Sequence, residues 1–279
     1  MTIKQAYSSL SDYLHRQGVE SPDFDAAQLV AAVTGVTKAK MPIEGTRPLT
    51  PLELERLTQL AKRRGERYPL QYLLGEWEFY GIPMAVGEGV LIPRADTETL
   101  VETGLTLLKG VSRPVVYDLC SGSGCIAAAI AKYRPDATVY AVELSKEALP
   151  YLRKNTAAFP GIRVVEGDVL EIGSQLQLPA CHLLLSNPPY ISDSEMQQLQ
   201  SEVRYEPEMA LRAENDGLYF YQQISSLYHS RLLEEGAMAF EVGYTQSAPV
   251  SRILRQAGMK EVFTCKDLNG IERVVVGKK

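Results

Sequence analysis

The chain has 279 residues, 45% of them hydrophobic and 23% charged, so it can bury the core of one large domain or two smaller ones. Its formal net charge of −5 argues against a protein that coats nucleic acid through its overall charge. No apolar run is long enough to span a bilayer, and the first residues lack the basic and apolar regions of a signal peptide. We therefore expect a cytoplasmic protein with no membrane contact.

The cysteines and histidines do not form a metal-binding pattern. None of the four cysteines shares Cys-x-x-Cys spacing with another, and the three histidines are scattered along the chain. We interpret the cysteines as reduced thiols and expect no metal site.

The first 75 residues carry apolar side chains at helical spacing in three segments, which begin near residues 3, 22 and 51. Ser21-Pro22 and Thr50-Pro51 are typical helix starts. We therefore predict a small helical domain over residues 1–75. A basic cluster lies at the end of its third helix: Lys62, Arg63, Arg64 and Arg67. This cluster suits either an acidic partner or the dipole of the helix.

Residues 76–92 are predicted to form a β-hairpin linker. Glu76–Tyr80 and Met84–Val86 are strand-like and flank the turn residues 81–83. Residues 93–279 then form the second predicted domain, which begins with a helix near residues 96–108.

From residue 114 onward, strand-like and helix-like segments alternate. The predicted strands are 115–119, 138–143, 162–168, a run that ends at Asn187, 237–242, 260–265 and 272–276. The predicted helices are 126–132, 146–157, 217–233 and 248–257. This alternation predicts an α/β fold with a seven-stranded, mostly parallel, Rossmann-like sheet. The short turn between the last two strands predicts an antiparallel hairpin at one end of that sheet.

A glycine loop and two acidic residues suggest a nucleoside-containing ligand. Cys120–Gly124 follows the first strand, where such a loop lets a ligand approach the start of a helix. Glu143 ends the second strand, where a carboxylate can accept from ribose hydroxyls, and Asp168 ends the third, where it can accept from an adenine amino group. Helix capping explains either acid singly, but it explains the combination with the loop less well. The loop lacks the Gly-Lys-Ser/Thr ending of a triphosphate site.

Asn187, Pro188, Pro189 and Tyr190 follow the apolar strand that begins at Cys181. The two prolines stiffen the backbone at the carboxyl end of the strand. The side-chain oxygen of Asn187 and the carbonyl oxygen of Pro188 are two neighbouring acceptors, which suit a group with two N–H donors. The ring of Tyr190 can lie on a flat amide or base. We refer to these four residues as the elbow and predict that it holds a planar amino group.

In this order, Asp118–Gly124, Glu143, Asp168 and the elbow resemble the motifs of S-adenosylmethionine-dependent amino methyltransferases. Further stretches make the chain similar to the release factor glutamine methyltransferases: Arg67–Gly75, Val90–Glu98, Tyr205–Leu211, Asp216–Leu218 and Glu241–Gln246. The resemblance covers nearly the whole chain, including the helical domain. It implies methylation of the side-chain amide nitrogen of the glutamine in the Gly-Gly-Gln motif of class 1 peptide chain release factors, with S-adenosylhomocysteine as the by-product.

The resemblance also implies roles for individual residues. The catalytic residues would be Asn187, Pro188, Pro189 and Tyr190. The cofactor-binding residues would be Asp118, Cys120, Ser121, Gly122, Ser123, Gly124, Glu143, Asp168, Val169 and Asn187. The helical domain would dock the protein substrate, and no direct contact with nucleic acid is expected.

Three alternatives share the elbow. A glutamine methyltransferase that acts on a ribosomal protein would use the same catalytic residues. A nucleic-acid adenine or cytosine amino methyltransferase would place a flipped base in the same elbow, but the acidic balance disfavours it. A non-catalytic S-adenosylmethionine-binding protein would not require the intact Asn-Pro-Pro-Tyr motif.

Overall fold

The computed structural model describes residues 1–171 and 178–279. They form two compact units. The first contains residues 1–75 together with the short segment Gln200–Tyr205, and the second contains the remaining described residues. The hairpin predicted as a linker belongs to the second unit.

The first unit is helical because its segments start at strong capping residues and bury one apolar side. Its helices are α1 (Ile3–Arg16), α2 (Pro22–Thr34), α3 (Met41–Glu44), α4 (Pro51–Gly65) and α5 (Leu70–Leu74). The side chain of Thr2 accepts from the backbone of Gln5, and that of Thr50 accepts from the backbone of Glu53, both at 3.2 Å. In return, the side chains of Gln5 and Glu53 accept from the backbone N–H groups of Thr2 and Thr50. Each pair of residues thus forms a capping box. Its fully buried core includes Ile3, Leu14, Ala26, Leu29 and Val30.

Segment 200–205 joins the helical unit through several contacts, and the carboxylate of Glu202 forms its ion pairs. Glu202 lies 3.0 Å from the guanidinium of Arg64 and 2.6 Å from that of Arg67. Burial opposes ionisation of Glu202, but hydrogen bonds from Arg67 and Arg64 lower the pKa of its carboxyl below the ordinary value. The predicted division placed all of residues 93–279 in the second domain. It did not anticipate this segment, because the ion pair joins residues 135 positions apart.

The basic cluster at the end of α4 is largely engaged within its own unit. Arg64 also lies 2.6 Å from the buried carboxylate of Asp25, and the guanidinium of Arg63 lies 3.7 Å from the centre of the Tyr68 ring. Arg67 is paired with Glu202 as described above. Because Arg64 and Arg67 are both paired with carboxylates of this unit, they are unavailable to an acidic partner.

The second unit is built on a β-sheet flanked by helices. It begins with the hairpin of β1 (Glu76–Phe79) and β2 (Ile82–Ala85). Its other strands are β3 (Val115–Leu119), β4 (Thr138–Glu143), β5 (Ile162–Glu166), β6 (Cys181–Ser186), β7 (Leu232–Glu241), β8 (Glu261–Lys266) and β9 (Glu272–Lys278). Its helices are α6 (Glu98–Leu107), α7 (Cys125–Tyr133), α8 (Leu149–Thr156), α9 (Asp193–Met196), α10 (Tyr219–Tyr228) and α11 (Ser247–Gln256).

Over the described residues, the main sheet has seven strands in the order β5-β4-β3-β6-β7-β9-β8. The first five strands of that order are parallel, and β9 pairs antiparallel with both β7 and β8. The predicted α/β class, the mostly parallel sheet and the closing hairpin are therefore confirmed.

The central strands β3 and β6 are apolar on both faces because helices cover both sides of the sheet. Leu183 and Leu185 contribute to one apolar core, while Leu184 and Tyr117 contribute to the other. These buried strands hold their carboxyl ends in fixed positions, and the loops that follow them build the site.

One predicted helix is shorter in the structure. Residues 217–233 were predicted as a single helix, but α10 ends at Tyr228, a 3₁₀ turn covers His229–Arg231, and β7 begins at Leu232. Leu232 instead pairs with Cys181 of β6. The short apolar pair Leu232–Leu233 fits both the helical and the strand repeat of hydrophobicity, and pairing with β6 makes it part of a strand.

Candidate active site

The glycine loop between β3 and α7 adopts a backbone that only a few residue types accept. Cys120, Gly122 and Gly124 have φ angles of 59°, 53° and 81°, all in the left-handed region. A non-glycine residue there marks local strain that the surrounding fold must hold. Burial also raises the pKa of the Cys120 thiol, so this side chain is a neutral group and not a nucleophile.

A pocket opens above this loop, at the carboxyl ends of β3, β4 and β6. Its empty volume, which includes solvent at the open mouth, is about 1000 Å³, which suits a small organic ligand. The predicted site residues that line it are Cys120, Ser121, Gly122, Ser123, Glu143, Asp168, Val169, Asn187 and Pro189. The structure thus brings together residues that are distant along the chain.

Asp118, Gly124, Pro188 and Tyr190 are not among the residues that line the pocket. Asp118 is fully buried beneath the loop, where its Oδ2 accepts from the backbone of Ala127 at 3.0 Å. It was predicted as a cofactor contact, but in this position it supports the start of α7. Burial raises the pKa of its carboxyl to about 7, against the effect of the Ala127 hydrogen bond.

Glu143 presents a carboxylate on the pocket wall. Its two oxygens accept one backbone N–H each, from Gly122 and from Ser145, both at 2.7 Å. Each carboxylate oxygen has a second lone pair, so Glu143 keeps acceptor capacity for a ligand diol. The bond to Gly122 also couples this acid to the glycine loop.

Asp168 and Val169 lie on the next wall. Oδ1 of Asp168 accepts from the backbone of Leu170 at 2.8 Å, and Val169 is buried in the core beneath the pocket. The combination of an acid and an apolar side chain suits the edge and the face of an aromatic base.

The elbow follows β6 and presents two acceptors. Among residues 1–171 and 178–279, no donor bonds to the side-chain oxygen of Asn187 or to the carbonyl oxygen of Pro188. The amide nitrogen of Asn187 instead donates to the hydroxyl of Thr97 at 3.3 Å. The elbow therefore retains both acceptors for a group that arrives from outside the chain.

The backbone of Tyr190 is held on both sides. Its N–H donates to the carbonyl of Leu211 at 3.1 Å, and its carbonyl accepts from the side chain of Gln246 at 3.0 Å. Glycine is required at 217, because a Cβ there would lie 2.0 Å from the carbonyl oxygen of Tyr190. Burial raises the pKa of the Tyr190 phenol, which therefore stays protonated at neutral pH.

Sequence reasoning assigned no role to three residues that the structure places at the elbow: Thr97, Glu241 and Gln246. All three belong to the family-like stretches Val90–Glu98 and Glu241–Gln246, and that was the signal available in the sequence. Glu241 is 2% exposed, ends β7 and leaves its Oε2 without a hydrogen-bond partner in the described part of the chain. Burial raises the pKa of this carboxyl to about 7.

The remaining pocket wall was also not predicted. It includes Val90–Arg94, Pro207, Met209, Ala210 and Phe220. Glu206 orders part of this wall, since it accepts from the backbone of Ile92 at 3.0 Å and from Arg94 at 2.5 Å.

Two family models match the chain: the PrmC N-terminal domain over residues 5–75 and the methyltransferase small domain over residues 97–215. A release factor glutamine methyltransferase of Geobacter sulfurreducens is 38% identical, and the match spans 99% of this chain and 96% of that protein. The chain belongs to the release factor glutamine methyltransferase family. A relative of the same name in Bordetella pertussis is 40% identical over 96% of this chain and 98% of its own length.

Members of this family are methyltransferases, and the solved structures agree with the fold. The hMettl16 catalytic domain matches with a TM-score of 0.56 over 84% of each chain at 17% identity. Within residues 1–171 and 178–279, no helix has the length and apolar character needed to cross a membrane. In the same ranges, no three acidic, histidine or cysteine side chains are grouped as metal ligands would be.

Proposed function

We propose that this chain transfers a methyl group from S-adenosylmethionine to the side-chain amide nitrogen of the glutamine in the Gly-Gly-Gln motif of class 1 peptide chain release factors. The names of the full-length relatives supply the class of substrate. The observation that carries the chemistry is the pair of acceptors at the elbow, which matches the two N–H donors of a primary amide.

The pocket residues fit S-adenosylmethionine. Glu143 offers spare acceptor capacity for the ribose hydroxyls, while Asp168 and Val169 offer an acceptor and an apolar surface for the adenine. Gly122 lines the pocket, and a Cβ built there would meet no protein atom within 4 Å, which leaves room for close approach of a ligand. When bound, S-adenosylmethionine supplies a methyl group on a positively charged sulfur and leaves as S-adenosylhomocysteine.

The residues of the elbow act by position and electrostatics. A glutamine amide nitrogen is a weak nucleophile because its lone pair is delocalised into the carbonyl. The Asn187 side-chain oxygen and the Pro188 carbonyl would accept its two hydrogens, which raises electron density on the nitrogen and directs its lone pair at the methyl carbon. The ring of Tyr190 would pack against the amide plane.

The transfer balances without a dedicated base. With S-adenosylmethionine bound, the amide nitrogen would gain the methyl group, and the sulfur would keep the electron pair of the carbon–sulfur bond that breaks. The nitrogen then carries an extra proton, which is strongly acidic and passes to water. The phenol of Tyr190 stays protonated, so it is not the acceptor.

A side-by-side transfer assay tests this proposal. Tritium-labelled methyl transfer would be measured from S-adenosylmethionine to a purified class 1 release factor, a ribosomal protein preparation and DNA. We expect label on the release factor. Label on the ribosomal protein alone would identify a different glutamine substrate, and label on DNA alone would identify a base methyltransferase; either outcome overturns the proposal.

The helical unit remains assigned to substrate docking as a proposal, supported by the family model that covers residues 5–75. Arg64 and Arg67 are paired within that unit, so docking would use other surface residues.

A further inference from the structure

Residues 206–213 cross one side of the pocket, and we refer to them as the strap. Three residues of the strap line the pocket: Pro207, Met209 and Ala210. All three have apolar side chains. The strap therefore adds an uncharged surface to a pocket that also holds the acidic residues at the ends of β4 and β5.

The strap is anchored at its start by a buried ion pair. The carboxylate of Glu206 lies 2.5 Å from the guanidinium of Arg94 and accepts from the backbone N–H of Ile92 at 3.0 Å. The side chain of Glu206 is 2% exposed, so water competes little for these two bonds. Ile92 and Arg94 also line the pocket, so this anchor joins two parts of its wall.

The strap is anchored at its end to the backbone of the elbow. The carbonyl oxygen of Leu211 accepts from the N–H groups of Tyr190 and Ile191, at 3.1 and 2.8 Å. The N–H of Ala213 donates to the carbonyl of Ile191 at 2.9 Å, and Ile191 forms a parallel bridge with Arg212. The end of the strap therefore runs beside the elbow and is held to it by three hydrogen bonds.

The part between the two anchors is a short, braced turn. Glu208–Ala210 is a 3₁₀ turn, and the N–H of Leu211 donates to the carbonyl of Glu208 at 3.0 Å. The guanidinium of Arg212 lies 2.9 Å from the carboxylate of Glu208 and 2.6 Å from that of Asp193. Met209 is the middle residue of this turn, so its backbone is fixed relative to the elbow.

Met209 lies at the mouth of the pocket, because it lines the pocket and is also 50% exposed. It precedes Leu211 by two residues, so its Cα lies within about 7 Å of a residue that bonds directly to the elbow. The elbow follows β6, whereas the proposed cofactor acids Glu143 and Asp168 end β4 and follow β5, on the far side of β3. Met209 is therefore placed on the side of the pocket where the target amide enters.

We propose that Met209 contacts the release factor backbone next to the target glutamine and thereby contributes to recognition of this substrate. The inference rests on the proposed function, because that function supplies the partner. The two glycines that precede the glutamine have no side chains, so they offer backbone alone for recognition. An unbranched, adaptable methionine side chain can cover such a surface closely.

The first test measures methyl transfer by the full-length protein over a range of release factor concentrations at saturating S-adenosylmethionine. Met209→Ala should raise the KM for the release factor on the order of threefold to tenfold, as for loss of part of a buried apolar contact. Its kcat should change little, because the contact is the same before and during transfer. Met209→Leu keeps an apolar side chain of similar volume and should restore most of the KM.

The matched control is Leu233→Ala. Leu233 is a partly exposed apolar residue, at 36%, but it lies near the start of β7, at the edge of the sheet opposite the pocket. This variant should keep the wild-type KM. Calorimetry with S-adenosylmethionine separates a second role for Met209: if Met209→Ala weakens cofactor binding and leaves the KM for the release factor unchanged, Met209 faces the cofactor and the proposal is wrong.

A crosslinking experiment locates the contact without turnover. The photoreactive amino acid benzoylphenylalanine would replace Met209 in the full-length chain, with S-adenosylhomocysteine and the release factor bound. Irradiation should attach it within a few residues of Gly-Gly-Gln, as mapped by tandem mass spectrometry. The same amino acid in place of Leu233 should give no such adduct. Attachment of the group at position 209 only to distant segments of the release factor would contradict the proposal.

The outcomes also separate this inference from the proposed function. If the wild type labels the release factor while Met209→Ala keeps the wild-type KM, or while Met209→Leu is as impaired as Met209→Ala, the inference alone fails. If the wild type leaves the release factor unlabelled, the proposed function fails and the inference fails with it.

Discussion

The side-chain amide of Gln246 donates a 3.0 Å hydrogen bond to the main-chain carbonyl of Tyr190, 56 residues earlier in the sequence. Its side-chain oxygen accepts from the backbone of Gly243, also at 3.0 Å. One buried amide therefore ties the loop after β7 to the elbow after β6. The position of the elbow thus depends on a residue outside the pocket.

We predict that Gln246→Leu loosens the elbow. Two backbone groups would lose their partner, which should lower the free energy of unfolding by about 1–3 kcal/mol. The rate of methyl transfer should decrease, while affinity for S-adenosylmethionine changes little. Denaturant unfolding and single-turnover assays measure the two effects. Gln222→Leu is the control, because within the described residues the side chain of Gln222 makes a single exposed 3.4 Å contact, with Asn215, and this variant should behave as the wild type.

Glu143→Ala is expected to weaken cofactor binding. The substitution removes the proposed ribose acceptor and also frees the N–H groups of Gly122 and Ser145. Loss of charged hydrogen bonds of this kind should raise the dissociation constant roughly 10- to 100-fold. Glu166→Ala is a matched control, since Glu166 pairs with Glu143 in the sheet but is exposed. Unchanged affinity by calorimetry in Glu143→Ala would refute the ribose assignment.

Asp118 should make stability depend on pH. Its pKa in the folded protein is raised to about 7 from an ordinary value of 3.8, so the folded state binds more protons than the unfolded state between these values. Stability therefore decreases as pH rises through this window. Asp118→Asn can keep a side-chain oxygen that accepts from Ala127, but it has no ionised form whose burial destabilises the folded state. Relative to the wild type, it should gain stability from about pH 4 to about pH 7, and a constant difference would contradict the assignment.

Gly124 is predicted to be required for packing as well as for its backbone angle. A Cβ at Gly124 would lie 2.5 Å from Cδ1 of Leu152, whereas a Cβ at Gly270 would meet nothing within 4 Å. The two glycines have similar φ angles of 81° and 80°. Gly270→Ala should therefore cost about 1 kcal/mol of unfolding free energy from strain alone, and Gly124→Ala should cost several. Equal losses in thermal unfolding would show that the clash relaxes.

The local pattern of apolar residues was sufficient to predict the central strands. β3 and β4 have the predicted bounds because each is a short apolar run between turn residues, and such runs form buried parallel strands. The apolar pair Leu232–Leu233 was predicted as helix because it fits both periods. Its strand conformation depends on β6, which lies elsewhere in the sequence.

The pocket shows the same contrast between features set by local sequence and features set by distant pairings. The glycine loop, Glu143, Asp168 and the elbow were found because each ends a strand, and parallel strands bring their carboxyl ends together. Thr97, Glu241 and Gln246 escaped notice because pairings across the fold bring them to the elbow, such as the bond between Asn187 and Thr97 over 90 positions. Nothing in the local sequence around Glu241 distinguishes a buried acid from the exposed end of a strand.

The most direct test is residue-level mapping of the methyl group on a class 1 release factor after reaction with the wild type and with Asn187→Ala. The wild type should place one methyl group on the glutamine of Gly-Gly-Gln, detected by tandem mass spectrometry. Asn187→Ala should do so at least on the order of 100-fold more slowly, as for loss of a positioned polar group, while cofactor affinity weakens less. A methyl group on another residue, or near-normal turnover by Asn187→Ala, would contradict the central claim that the elbow holds and activates this amide.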